Sequence, residues 1–156
     1  MNKSQGLQFT MGKLLNFDFD VLKPNTTNST DPTVPIIITE ANTPTILSKI
    51  TVNIADNSNV WLYATAAFNV RGADLPVSVI FKIWRGHPSK GDLVFSTADA
   101  GQGNEEVGTF RNSSFTSIDM TCNTSCSRIT YYLTAESTKD TQMIFIGPIT
   151  FIGANL

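Results

Sequence analysis

A chain of 156 residues is one domain's worth and hides roughly two thirds of its unfolded surface on folding, so a sizeable core is available. Hydrophobic residues make up 41% and charged residues only 15%, which leaves many surface positions to Thr, Ser and Asn and suits packed or assembled surfaces. The net charge is −2 and Lys and Arg are scattered rather than gathered in a stripe, which argues against a nucleic-acid partner and disfavours an anionic membrane.

The N-terminal stretch MNKSQGLQFTMGKLL has no continuous apolar segment and no small-residue cleavage site, so it does not read as a signal peptide. No apolar run approaches the eighteen or so residues that a transmembrane helix needs. From Leu7 to Val21 apolar and polar residues alternate: Leu7, Phe9 and Met11, then Leu15, Phe17, Phe19 and Val21 against Asn16, Asp18 and Asp20. This is strand spacing, and Gly12 and Lys13 divide it. Pro24 to Pro35, PNTTNSTDPTVP, cannot build a core and reads as a linker or an extended crossing segment. The expected division is therefore 1–23 as an arm, 24–35 as a linker and 36–156 as the body.

Within the body, strands are predicted over Val34–Thr39 and Ile46–Ile54, then over Val60–Val70 and Val77–Trp84. Arg71 to Asp74 has turn chemistry, so the last two read as a long hairpin. Shorter strands follow at Leu93–Thr97, Val107–Arg111 and Phe115–Met120, with the Gly-rich stretch Asp99–Gly103 taken as a loop. Arg128–Glu136 and Gln142–Ile152 complete the set. About nine or ten strands with turn signals between them and no helix predict an all-β sandwich, jelly roll or barrel. Several strands are apolar on both faces: Trp61 and Tyr63 lie opposite Leu62 and Ala64, and Met143 and Phe145 opposite Ile144 and Ile146. A sandwich strand buries one face, so the second needs a subunit interface or a covering segment.

Little in the chain points to chemistry. His87 is the only histidine, which excludes a multi-histidine metal centre, and Gly86 and Pro88 around it read as a solvated loop. No nucleophile elbow accompanies it, so no catalytic residue is assigned. Gly101, Gly103 and Gly108 lack the spacing and the lysine of a phosphate loop. Asn16, Asp18 and Asp20 share a strand face but lack the glycine and distal glutamate of a calcium loop, and a solvent face is expected of them. Cys122 and Cys126 allow a disulfide, within or between chains, or two free thiols; two more ligands would be needed for zinc. Sequons at Asn25, Asn28, Asn112 and Asn123 reflect the Asn- and Thr-rich composition. No cofactor or metal is expected.

Four stretches, Ile80–Gly86 (IFKIWRG), Leu93–Gly101 (LVFSTADAG), Thr130–Glu136 (TYYLTAE) and Ile146–Phe151 (IGPITF), resemble short β-rich spore-surface proteins of Bacillus-type bacteria, the exosporium and endospore-appendage group. The resemblance covers roughly residues 45 to 156. It implies a jelly roll of the tumour-necrosis-factor type that assembles as a homotrimer. It further implies deposition on the spore surface from the mother-cell cytosol, with another spore-surface protein as anchor. With the double-sided strands it predicts Trp61, Tyr63, Met143 and Phe145 near a threefold axis. The chain lacks the collagen-like stalk of some such proteins, and Leu7, Phe9 and Met11 are the expected inter-subunit connector of a fibre. Pro24–Pro35 spans about 40 Å when extended, enough to reach a neighbour. Otherwise the arm folds back as an edge strand or stays disordered. The competing expectation is a trimeric head that binds glycan or receptor through Trp61, Trp84 or Tyr132. An enzyme ranks below both.

Overall fold

The computed structural model describes residues 16–55, 58–71, 73–103, 108–120 and 128–156, except for the side chains at 73–75, 102–103 and 109. The connector residues Leu7, Phe9 and Met11 and the pair Cys122 and Cys126 lie outside the described residues. The described residues form ten strands: β1 (Asn16–Val21), β2 (Ile36–Ile38), β3 (Thr45–Asn53), β4 (Asn59–Arg71), β5 (Ala73–Arg85), β6 (Asp92–Gly103), β7 (Thr109–Met120), β8 (Arg128–Ser137), β9 (Gln142–Phe145) and β10 (Ile149–Asn155).

They form two antiparallel sheets. In the first, β4 pairs with β7 along one edge and with β10 and then β9 along the other, and β1 and β2 complete the far side against β10 and β9. The second sheet runs β3, β8, β5, β6. β9 and β10 act as one strand broken at Gly147, whose φ of 114° and contact with the Thr26 carbonyl leave no room for a side chain. The chain passes from sheet to sheet at six of the nine connections between these strands, and among the described strands only β5 and β6 pair as consecutive neighbours. Two antiparallel sheets joined by such crossings make a jelly-roll β-sandwich.

The predicted hairpin of Val60–Val70 and Val77–Trp84 is corrected here. β4 belongs to the first sheet and β5 to the second, so the corner after Arg71 carries the chain across the core rather than back along an edge. Leu62, Ala64, Ala66, Phe68 and Val70 from β4 face Val77, Val79, Phe81 and Ile83 from β5, all of them buried. Phe68, Phe81 and Phe145 meet with ring centroids 5.9 to 6.3 Å apart and mutually tilted. Two apolar inner faces drive this arrangement: pairing β4 with β5 edge to edge would lay both apolar rows side by side on one sheet, with nothing opposite. The stretch Asp99–Gly103 is likewise not a loop but the end of β6, paired with β5, and Gly101 is buried against Phe68 and Val70.

The first strand reverses the predicted inside and outside. Asp18 and Asp20 point toward β3, Asp18 half-buried and Asp20 still exposed; the Thr51 N–H donates to Asp18 Oδ2 at 2.7 Å and Ser48 Oγ donates to Asp20 Oδ2 at 2.7 Å. These bonds close β1 over the edge of β3. Charge-assisted hydrogen bonds of this kind contribute about 1.5–3 kcal/mol each. The segment from Pro24 to Pro35 is tied down along its length. Ser29 N–H donates to the Ile146 carbonyl, Ile149 N–H donates to Asn25 Oδ1, and Asp31 accepts from the N–H groups of Lys23 and Thr33. Asp31 Oδ1 also accepts from Thr33 Oγ1 at 2.6 Å, and these three acceptances, the Thr33 hydroxyl first, hold the carboxyl below its ordinary range. The segment is thus a crossing that returns the chain from β1 to β2 across the end of the sandwich.

Candidate assembly face

Side chains alternate across each strand, so the register determines what the outer face of the first sheet carries. One row reads Phe17, Ala154, Trp61, Ile118 across β1, β10, β4 and β7; the next reads Phe19, Ile152, Tyr63, Thr116. Further along come Val21, Thr150, Thr65 and Ser114, and then Ile37, Ile144, Asn69 and Phe110. Phe17, Phe19 and Ile118 are each 55% exposed and Met120 is 73% exposed. Of the nine large apolar side chains exposed among the described residues, Phe17, Phe19, Ile37, Phe110, Ile118 and Met120 stand on this face and Leu156 at its end. The charged residue on the face among those described is Arg71, at the far end of β4.

The rings are ordered by local pairing. Phe17 and Phe19 stack at 6.0 Å and 14°, and Trp61 and Tyr63 at 6.0 Å and 22°. Tyr63 Oη lies 2.8 Å from Thr65 Oγ1, which lies 2.9 Å from Ser114 Oγ, so the polar atoms of the face satisfy one another. The hydrogen bonds from Thr65 and then Ser114 hold the Tyr63 hydroxyl below the usual tyrosine range, outweighing its slight burial. Asn69 is 2% exposed and its Oδ1 has no hydrogen-bond partner among the described residues.

Met143 and Phe145 do not belong to this face. Both are 0% exposed, packed between the sheets with Val70, Phe68 and Phe81, so they cannot meet a threefold axis. The predicted pair on β9 has the wrong parity: Ile144 is the residue of β9 that shares the outer face with Asn69 and Ile37. Trp61 and Tyr63 do lie on the outer face, half-buried. The alternation of Ile144 and Ile146 against Met143 and Phe145 is apolar on both sides and does not decide which parity of β9 faces out; Gln142, which shares the outer parity with Ile144, is the polar signal.

The outer face of the second sheet is chemically different. Lys82 Nζ donates to Glu136 Oε1 at 2.6 Å and sits 5.9 Å from the centre of the Trp84 ring, while Trp84 Nε1 donates to Thr134 Oγ1 at 3.0 Å. Lys49 and Arg128 add exposed charges. Trp84 and Tyr132 are cross-strand partners here. His87 lies in the exposed loop after β5, its Nδ1 2.8 Å from Ser89 Oγ and its ring edge-on to Tyr132 at 5.4 Å. Among the described residues, no three His, Cys, Asp or Glu side chains come together in a way that would hold a metal ion.

A scan against protein-family models and a search of the curated proteins find no match to the chain. Solved structures give loose likenesses. The Eiger TNF from S. frugiperda superposes with a TM-score of 0.41 at 9% identity, covering 93% of this chain and 88% of that one. The CBM22-1 xylan-binding domain from Paenibacillus barcinonensis Xyn10C gives 0.37 at 12% identity, covering 88% and 81%. TmCBM61, solved in complex with β-1,4-galactotriose, gives 0.36 at 11% identity, covering 90% of each chain. None is near enough to carry an argument about this chain, whose fold class stands on its own strand order.

Proposed function

We propose that this chain is a non-enzymatic structural subunit, a jelly roll that self-associates as a homotrimer through the outer face of its first sheet. The trimers then polymerise into a fibre or layer on a bacterial spore. The observation that supports the reading is the face itself: seven large apolar side chains gathered at one sheet surface that bears, among the described residues, a single, peripheral charge. Exposed apolar patches of that extent mark interaction surfaces. An uncharged face meets its own copy without repulsion, and four strands about 4.8 Å apart beside a β4 of 13 residues offer on the order of 800 Å². That matches what one partner contributes to a standard stable interface.

In this reading Trp61 and Tyr63 sit near the axis with Ile118 and Ile152, their neighbours in register. Leu7, Phe9 and Met11 act as the connector from one trimer to the next by adding a strand to a neighbour. Because donor and acceptor surfaces differ, that contact propagates without closing. The spore-surface location and an anchoring partner there are supported by the sequence stretches quoted above. Sedimentation of the purified protein tests the assembly, with trimers or larger polymers expected at micromolar concentration; a stable monomer would overturn it. Deleting residues 1–13 is expected to leave folded trimers that form no fibres under the electron microscope. Fibres of normal length from the truncated chain would remove the connector role.

A further inference from the structure

The two long sides of the sandwich are closed differently. On one, β1 folds over β3 and the aspartates of β1 bind across. On the other, the edge strands β6 and β7 flank a cleft of about 290 Å³. Thr97 and Asp99 line it from β6, Asn112, Ser113 and Ser114 from β7, and the aromatic ring of Phe115 stands at its inner end. Phe115 is half-buried and is backed by the fully buried Phe81, with ring centroids 5.3 Å apart.

Asp99 is held in place on three counts. Its Oδ1 accepts from Arg111 Nη2 at 2.8 Å and from the Ala100 N–H at 2.7 Å, and its Oδ2 accepts from Ser113 Oγ at 2.6 Å. Burial pushes its pKa up, but the hydrogen bonds from Arg111, Ser113 and Ala100 outweigh it and keep the carboxylate ionised. Of roughly four acceptor positions on a carboxylate, one on Oδ2 is left open by the described residues.

This lining narrows the ligand. Arg111 and Asp99 cancel, so neither an anion nor a cation finds an unbalanced charge. An apolar ligand would leave the hydroxyl, amide and carboxylate groups of the walls without partners. What remains is a small neutral molecule with hydroxyl groups along its rim and an apolar C–H face for Phe115. We infer that the β6–β7 cleft binds a single neutral pyranose unit at the end of a glycan, with Asp99 and Thr97 meeting its hydroxyls and Phe115 its apolar face. Asn112 and Ser114 belong by register to the outer face of the first sheet, so the cleft borders the assembly face along β7, but its ligand-facing side chains point between the sheets and the inference does not rest on that face being covered.

The test is a titration of the full chain, ¹⁵N-labelled, with the methyl glycosides of glucose, galactose, mannose, N-acetylglucosamine and rhamnose. At least one should shift the amides of Thr97 to Asp99 and Asn112 to Phe115 saturably, with a dissociation constant on the order of 1 mM. Thr97→Val, at a half-buried side chain of β6, should weaken binding at least about tenfold with the melting temperature unchanged. Asp99→Asn should do the same, and if it unfolds, Thr97→Val alone decides. The assignment is wrong if no glycoside at about 0.1 M, a hundredfold excess over that constant, moves these amides. It is equally wrong if shifts map elsewhere or if Thr97→Val binds as well as the parent. Should the same amides respond to a peptide of residues 1–15 and to no glycoside, the cleft is a strand-docking edge instead.

Discussion

The outer faces of the two sheets are built from the same kind of strand and end in opposite chemistry. The first sheet shows Phe17, Phe19, Ile118 and Met120 to the outside with their polar neighbours bonded to one another; the second pairs Lys82 with Glu136 beneath Trp84. Both faces carry aromatic residues, so aromatic content does not distinguish them. What does is whether the apolar surface is interrupted by charge. A charged face stays hydrated alone, whereas an unbroken apolar one is stable only when covered.

Two substitutions break the comparison in opposite directions. Phe145→Ala opens a cavity between the sheets and should lower the stability of every form by about 3–5 kcal/mol, while the association constant changes little once the protein is folded. Calorimetry paired with sedimentation separates the two effects. Trp61→Asp puts a charge in the middle of the apolar face, and an uncompensated buried charge costs about 3–4 kcal/mol. We expect folded monomers and an apparent dissociation constant raised by at least about a hundredfold. The control Ser96→Asp, exposed on the other face, should sediment as the parent does.

Beneath both faces, Tyr131 is fully buried and donates to Asp119 Oδ2 at 2.8 Å, with Arg85 3.5 Å beyond. Burial, then the charge of Asp119, pushes its hydroxyl far above the ordinary value of 10.0, so it stays protonated in the folded chain. The unfolded chain releases that proton above pH 10 and the folded one does not. The stability it contributes is therefore complete below pH 10 and falls as pH rises further, by about 1.4 kcal/mol per unit. Tyr131→Phe should lower stability at neutral pH by about 1–2 kcal/mol and flatten that alkaline slope in thermal melts. The smallest effect belongs to the charged face: Lys82→Gln should cost no more than about 1 kcal/mol, less in high salt, and leave assembly unchanged.

The strand pattern carries the fold class, because alternation over Ile46–Ile54, Val60–Val70, Val77–Trp84 and Arg128–Glu136 needs only local chemistry to be seen. Partner choice is not local. The turn at Arg71 to Asp74 suits a hairpin and a corner equally, and only the need to set two apolar rows face to face selects the corner. In β1 polarity misleads: Asp18 and Asp20 point toward β3 because it offers an N–H and a hydroxyl, and Phe17 and Phe19 are left outside. The same ambiguity misassigned Met143 and Phe145, since each strand with two apolar faces hides which one is core. The β6–β7 cleft is hidden for a related reason, as the Gly-rich run from Asp99 to Gly103 has the chemistry of a loop although it is the end of a strand.

The placement of β10 has a consequence for how the chain is made. It lies between β1 and β4, pairing Asn16 with Asn155 and Val60 with the same residue, so the first sheet has a gap along its middle until residue 155 has been synthesised. Up to that moment β1 has no partner strand and one long edge of β4 stands open over most of its length. Pairings of such long sequence separation form slowly and only once the loops between them have closed. A nascent chain stalled before Ile149 would present unpaired strand edges beside an apolar surface, the combination that draws in other chains. Ribosome-bound chains cut short within β10 should accordingly be protease-sensitive throughout the first sheet, and gain protection in one step as its final residues are added.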